Sequence, residues 1–143
     1  MSGVRRLVSG VKKMGDVMAA IERFQDIKAW QNSRELVREI YKLCATSRLG
    51  RDFGLRDQIC RAAVSMMSNI AEGFGRKTDK EFTRFLDIAR VSGSEVQSLL
   101  YVGLDVGYLS QAEFDRLYAL TDAAISLISG FISYLRKSQS ESN

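Results

Sequence analysis

Apolar residues return at three- and four-residue steps through four long stretches of this chain, with short polar breaks between them, and that period predicts amphipathic α-helices. Over 26–46 the rhythm is carried by Ile27, Trp30, Val37, Tyr41 and Cys44, and Leu36, Ile40 and Leu43 widen the stripe. Over 54–74, Ala62, Ala63, Met66, Ile70 and Phe74 share one side, and the alanines are small enough for a neighbouring helix to approach closely. Gly73 and Gly75 read as the stop of that helix. A third helix begins at Thr78-Asp-Lys-Glu81, a capping box in which the hydroxyl accepts from the Glu81 N–H while the carboxylate reaches back. Its inward residues are Phe82, Phe85, Leu86, Ala89, Val96, Leu99, Leu100 and Val106, and Gly107 is its expected left-handed cap. Ser110-Gln-Ala-Glu113 repeats the box at once, so the turn before it is too tight for anything but an antiparallel neighbour.

The fourth helix, reaching position 137, carries Phe114, Leu117, Thr121, Ala124, Ile128, Phe131 and Leu135 as a heptad seam. Tyr118, Ile125, Leu127 and Ile132 make its other faces apolar as well. A helix apolar on several sides is buried on several sides, which in a small bundle calls for a second subunit. Asp122 and Ser126, Ser129 and Ser133 speak against a membrane span. The expectation is an all-α, antiparallel up-and-down four-helix bundle over 24–137 that assembles into a homo-oligomer. Residues 1–23 form a basic N-terminal arm, read as either amphipathic or disordered, and 138–143 a polar tail.

Composition sharpens this picture. The 143 residues contain no proline, which suits helices joined by very short connections. They contain no histidine either, which removes the commonest general base and the commonest ligand for zinc or non-haem iron. Ser65 and Ser68 therefore lack a base, and Gly73-Phe-Gly75 has no preceding strand to make it a dinucleotide turn. No catalytic residue, metal or cofactor is expected. Cys44 and Cys60 form no spaced framework and read as reduced core residues of a cytoplasmic protein. The net charge of +4 is concentrated at the start: residues 1–23 hold five basic and two acidic side chains, the remainder 16 and 15.

Two constellations remain as candidate sites. Arg61, Ser65, Asn69, Glu72 and Arg76 recur along one side of the second helix, and this polar seam is open to three readings: a structural network or interface, a solvated face, or a functional surface. Basic residues gather in two groups: Arg48, Arg51 and Arg56 around the first long loop, and Arg76, Lys77, Lys80 and Arg84 around the start of the third helix. An antiparallel bundle puts those loops at opposite ends, so they unite only through helix faces or oligomer symmetry. Repeated around an axis, such charges would neutralise several phosphates at once. Glu95, Asp105, Glu113, Asp115 and Asp122, facing only Arg116, make the region from 95 to 122 acidic.

Phe24-Gln-Asp-Ile-Lys-Ala-Trp30-Gln, Leu55-x-x-Gln58-x-x-Arg61-Ala-Ala-Val-Ser65, Ser68-Asn-Ile-Ala-Glu72-Gly73-Phe-Gly-Arg76 and Phe85-Leu-x-x-Ala89-Arg90 resemble the bacterial four-helix-bundle family encoded within intervening sequences of large-subunit ribosomal RNA genes. The chain is also similar to the accessory variability protein of diversity-generating retroelements. That resemblance covers 24–137 and implies a barrel-like homopentamer, with relatives that bind RNA or DNA and a reverse transcriptase. The chain departs from the family where Ala-Arg-Gly-Ser is usual: it has Val91 in place of the glycine.

Overall fold

The computed structural model describes residues 14–142. Among the described residues there are five α-helices and no strand: α1 (Met14–Ala19), α2 (Lys28–Thr46), α3 (Phe53–Phe74), α4 (Asp79–Asp105) and α5 (Gln111–Ser142). Short 3₁₀ turns at Phe24–Asp26 and Arg48–Arg51 precede α2 and α3. Helices α2 to α5 each pack on the next, and α2 closes the ring against α5. Their directions alternate: Cys44 late in α2 meets Cys60 early in α3, and Asp87 early in α4 meets Arg136 late in α5. The four long helices thus make an antiparallel up-and-down bundle, of which α4, with 27 residues, spans about 40 Å.

The chain reverses through the local chemistry its sequence predicts. Thr78 accepts from the Glu81 N–H at 3.1 Å. At Ser110 both halves of the box form, the hydroxyl accepting from Glu113 N–H at 3.1 Å and the Glu113 carboxylate from Ser110 N–H at 2.8 Å. Gly107 sits at φ 81° and closes α4 by a Schellman motif, in which Tyr108 N–H bonds to Gly103 O at 2.8 Å and Gly107 N–H to Leu104 O at 3.1 Å. The 75–78 connection is different. Gly75 keeps a right-handed φ of −79°, so no left-handed cap is needed there. Gly73 lies buried inside α3, where a Cβ would fall 2.7 Å from Phe85 Cβ and 2.9 Å from Phe82 Cδ1. This glycine brings two helices together and does not end one.

All seven residues of the α5 seam are buried, including Thr121, whose hydroxyl donates to the Leu117 carbonyl at 2.7 Å. The same device shifts the α2 face from the predicted one. Its fully buried row is Ala29, Ser33, Leu36, Ile40 and Leu43, with Ser33 donating to Ala29 O at 2.8 Å, whereas Tyr41 is 53% exposed. In α4, Val106 is exposed and not inward, because the chain leaves the helix there and Gly103 takes the inward place against Leu109.

The extra apolar residues of α5 find partners inside one chain. Ile125 fills the space over Gly93, whose missing Cβ would fall 2.7 Å from Ile125 Cγ1. Leu127 joins Val17, Met18 and Ile27 around a groove of about 390 Å³ between α1, α2 and α5. α5 is long and apolar enough to cross a membrane by composition, and in the bundle its seam from Phe114 to Leu135 is packed inside. The large apolar side chains left exposed on the long helices sit elsewhere: Tyr41 on α2, Phe53 and Val64 on α3, and Ile88, Val91, Tyr101 and Val102 on α4, with Val106 just past its end. Of the expected arm, residues 1–13 lie outside the described residues; α1 lies on α5, with Gly15 against Tyr134. α5 continues to Ser142, beyond the expected boundary at 137.

Candidate nucleic-acid interface

The two basic groups do lie at opposite ends, and the bundle treats them differently. At the end formed by the α2–α3 loop and the α4–α5 turn, Arg48 donates to the Gly107 carbonyl at 3.1 Å and its guanidinium stands 5.5 Å from the Tyr108 ring centre. Tyr108 in turn donates its hydroxyl to Asp52 at 2.9 Å, and that bond raises the Tyr108 pKa above its ordinary value by stabilising the protonated phenol. The other oxygen of Asp52 caps α3 by accepting from Leu55 N–H. Arg56 forks onto Asp57 at 2.8 and 2.9 Å, reaches Gly50 O, and stacks 4.6 Å from Phe53. Of the three cations expected to meet phosphate here, Arg48 therefore joins the two connections and Arg56 ties the start of α3 to the loop before it, while Arg51 is exposed beside them.

At the opposite end the cations are displayed. Gly73 allows α4 to close on α3, and the consequence is that Phe85 lies under the α3–α4 connection, 7% exposed. Arg76 and Arg84 share that ring, their guanidinium carbons 4.6 and 4.7 Å from its centre. Arg76 is also paired with Glu72 at 2.9 Å, one turn back on α3. Lys77 and Lys80 are exposed on the connection itself and on the first turn of α4, where Lys80 and Arg84 stand one turn apart on the same side. On another side of α4 Arg90 is held by Asp87 at 3.1 Å, and the same carboxylate holds Arg136 of α5 at 3.3 Å. Arg136 escaped notice in the sequence because 49 residues separate it from Asp87, and only the packing of α4 on α5 joins them.

The polar seam resolves into parts. Ser65 and Ser92 hydroxyls meet at 2.8 Å across α3 and α4, and the Asn69 amide donates to both the carbonyl and the hydroxyl of Ser65, at 2.9 and 3.0 Å. This centre is half-buried, and its Ser65–Ser92 bond ties α3 to α4. Arg61, Glu72 and Arg76 at its ends are exposed. Ser92 had a signal in the sequence: it continues the inward row Phe85, Ala89, Ser92, Val96. Val91, which stands where the family usually has glycine, points outward and is 58% exposed, while neighbouring Gly93 makes the close helix contact.

The remaining titrating groups are structural. Glu39 bonds Arg116 of α5 and Lys42, and these cations hold its carboxyl below the usual range against the opposing effect of burial. The Cys44 and Cys60 sulfurs lie 3.8 Å apart as free thiols, and burial, reinforced by Cys60, pushes the Cys44 thiol up to about 12. No group of three or more candidate metal-ligating side chains is found among the described residues.

The model of the 23S rRNA-intervening sequence protein family matches residues 25–130, which span all four long helices as far as the last turns of α5. The chain belongs to this family. A crystal structure of a protein of unknown function from the S23 ribosomal protein family of Bacteroides thetaiotaomicron has the same fold, with a TM-score of 0.68, 20% sequence identity, and coverage of 73% of this chain and 97% of that one. No significant match is found among curated proteins. The segments quoted above fall on the entry to α2, the first half of α3, the α3–α4 connection, and the part of α4 that carries Phe85.

Proposed function

We propose that this member of the 23S rRNA-intervening sequence protein family is a non-catalytic homo-oligomer that binds RNA or DNA through a basic flank repeated around its axis. The observation that carries the reading is the pair of guanidiniums seated on Phe85, with Lys77 and Lys80 beside them. Arginines held on a ring before a ligand arrives lose less freedom on meeting phosphate than free side chains do. Locally Arg76, Lys77, Lys80 and Arg84 face Glu72, Asp79 and Glu81, so each protomer contributes a small positive excess, and repetition in an oligomer makes it effective. A nucleic-acid enzyme such as a reverse transcriptase is a further partner that the resemblance implies.

Assembly is supported by a row on α4, where Ile88, Val91 and Val102, with Val106 just beyond, fall on one side and remain 39% to 58% exposed. We place the contact between copies there, beside Val64 of α3, and expect a pentamer whose interfaces exceed about 1,000 Å². Light scattering coupled to gel filtration tests this: Val91→Asp should reduce the mass toward one chain, and an unchanged pentamer would move the interface elsewhere.

The nucleic-acid reading is tested by titrating a labelled structured RNA and a matched DNA duplex from about 50 to 200 mM salt. Lys77→Ala with Lys80→Ala removes two exposed charges and should lower the salt slope by about 1.8 for each protomer in contact. Absence of binding at the lowest salt would overturn the reading. With the oligomer intact, that result would favour the second one, a structural or protein-interaction scaffold, for which the exposed α4 row is the specific support.

A further inference from the structure

The flank between the second half of α4 and the first half of α5 has the opposite chemistry. Tyr101 is 50% exposed, and its ring lies 4.8 Å from Phe114 and 5.8 Å from Tyr118, while Phe114 and Tyr118 are 5.4 Å apart. Phe114 is buried and anchors the cluster, leaving Tyr101 at the surface and Tyr118 half-buried beside it. Carboxylates flank them at helical spacing: Asp105 one turn after Tyr101, Asp115 one turn before Tyr118, and Asp122 one turn after it. Asp122 receives only an amide bond from Gln97 at 3.4 Å, and Asp115 one from Gln111 at 2.8 Å, so neither charge is compensated by those contacts. The lone cation between 95 and 122, Arg116, is already paired with Glu39 on α2.

Ring faces are themselves electron-rich, so this surface repels phosphate and attracts cations. A guanidinium suits it best, because its plane stacks on a ring while its fork donates to a neighbouring carboxylate. We propose that the Tyr101–Tyr118 face docks an arginine-rich segment of a partner protein. A second copy of this chain is a poorer occupant, since among the described residues its arginines stand singly along helices, and Arg38, Arg56, Arg90 and Arg136 are paired with Glu35, Asp57 and Asp87.

The test uses the full-length protein and a fluorescein-labelled peptide of four Arg-Gly-Gly repeats, followed by anisotropy at about 50 mM salt, with a citrulline-for-arginine peptide as the neutral probe. The arginine peptide should bind and the citrulline peptide should not. Tyr101→Ala and Asp122→Asn should each weaken binding about fivefold, the size of one exposed cation–π or ion-pair contact. Glu81→Gln, at the other end of α4, should leave it unchanged, and circular dichroism of each variant should match the parent. Equal weakening by Glu81→Gln would mean diffuse charge attraction and overturn the proposal, as would equal binding of the two peptides or none by either. A change of oligomer mass in Tyr101→Ala without loss of peptide binding would also overturn it, by assigning the face to a second copy.

Discussion

Gly73→Ala probes the contact on which the basic flank rests. The new methyl would lie 2.7 Å from Phe85 Cβ and 2.9 Å from Phe82 Cδ1, whereas comfortable carbon contacts are about 3.5 to 4.0 Å. Phe85 Cβ is attached directly to the α4 backbone, so a rotamer change cannot clear it, and α3 and α4 must part by about 1 Å. Overpacking of this kind costs about 1 to 3 kcal/mol, and the upper figure applies where the obstacle is held by backbone. Alanine returns about 1 kcal/mol through its better helix propensity. The net expectation is a loss of about 2 kcal/mol, which for a domain of this size lowers Tm by about 7 °C. Thermal melts by circular dichroism at one fixed protein concentration measure it. Gly54→Ala is the matched control, because a Cβ there meets nothing nearer than Asp52 Oδ1 at 3.9 Å, and it should not lower Tm. Equal or higher stability of Gly73→Ala would refute the close approach of α3 and α4. The same variant should flatten the salt slope of RNA binding, since Phe85 carries both Arg76 and Arg84.

Two more outcomes follow from the titrating groups. Glu39 has a folded pKa below its unfolded value, so its contribution to stability is complete above the ordinary carboxylate range and disappears as pH falls through the folded pKa. Urea melts between pH 7 and pH 3 should therefore show the parent losing more stability than Glu39→Gln, and parallel losses would exclude the Arg116 pairing as the cause. With its thiol pushed up to about 12, Cys44 should resist iodoacetamide in the folded protein at pH 8 and alkylate readily in urea, as read by mass spectrometry; rapid alkylation of Cys44 in the folded chain would contradict the raised pKa.

The helices and turns were legible in the sequence because their signals are local. The cap at Thr78, the full capping box at Ser110, a left-handed glycine at 107 and the seven-residue seam of α5 each depend on neighbours within one or two turns, and all of them appear in the folded chain, although at Thr78 only the hydroxyl half of the expected box forms. Ser33 shows where local reading misled: its hydroxyl satisfies itself on the Ala29 carbonyl, so a residue that looks polar in sequence lies at the centre of the α2 core face. Gly73 misled in the opposite sense, because a glycine near a helix end reads as a stop unless the partner helix is known.

What the sequence by itself determined was the set of amphipathic helices, their antiparallel order, and the positions of the charges, all of which follow from periodicity and short-range hydrogen bonding. Only the tertiary structure decided which charges are available. Arg48 and Arg56 are tied to the backbone carbonyls of Gly107 and Gly50, and Arg76 and Arg84 meet over one phenylalanine. Asp87 gathers Arg90 and Arg136 from two helices, and three aromatic rings from α4 and α5 come together on the acidic flank. Each of these depends on contacts between residues that the chain separates, and a guanidinium's partner is set by which helix packs beside it.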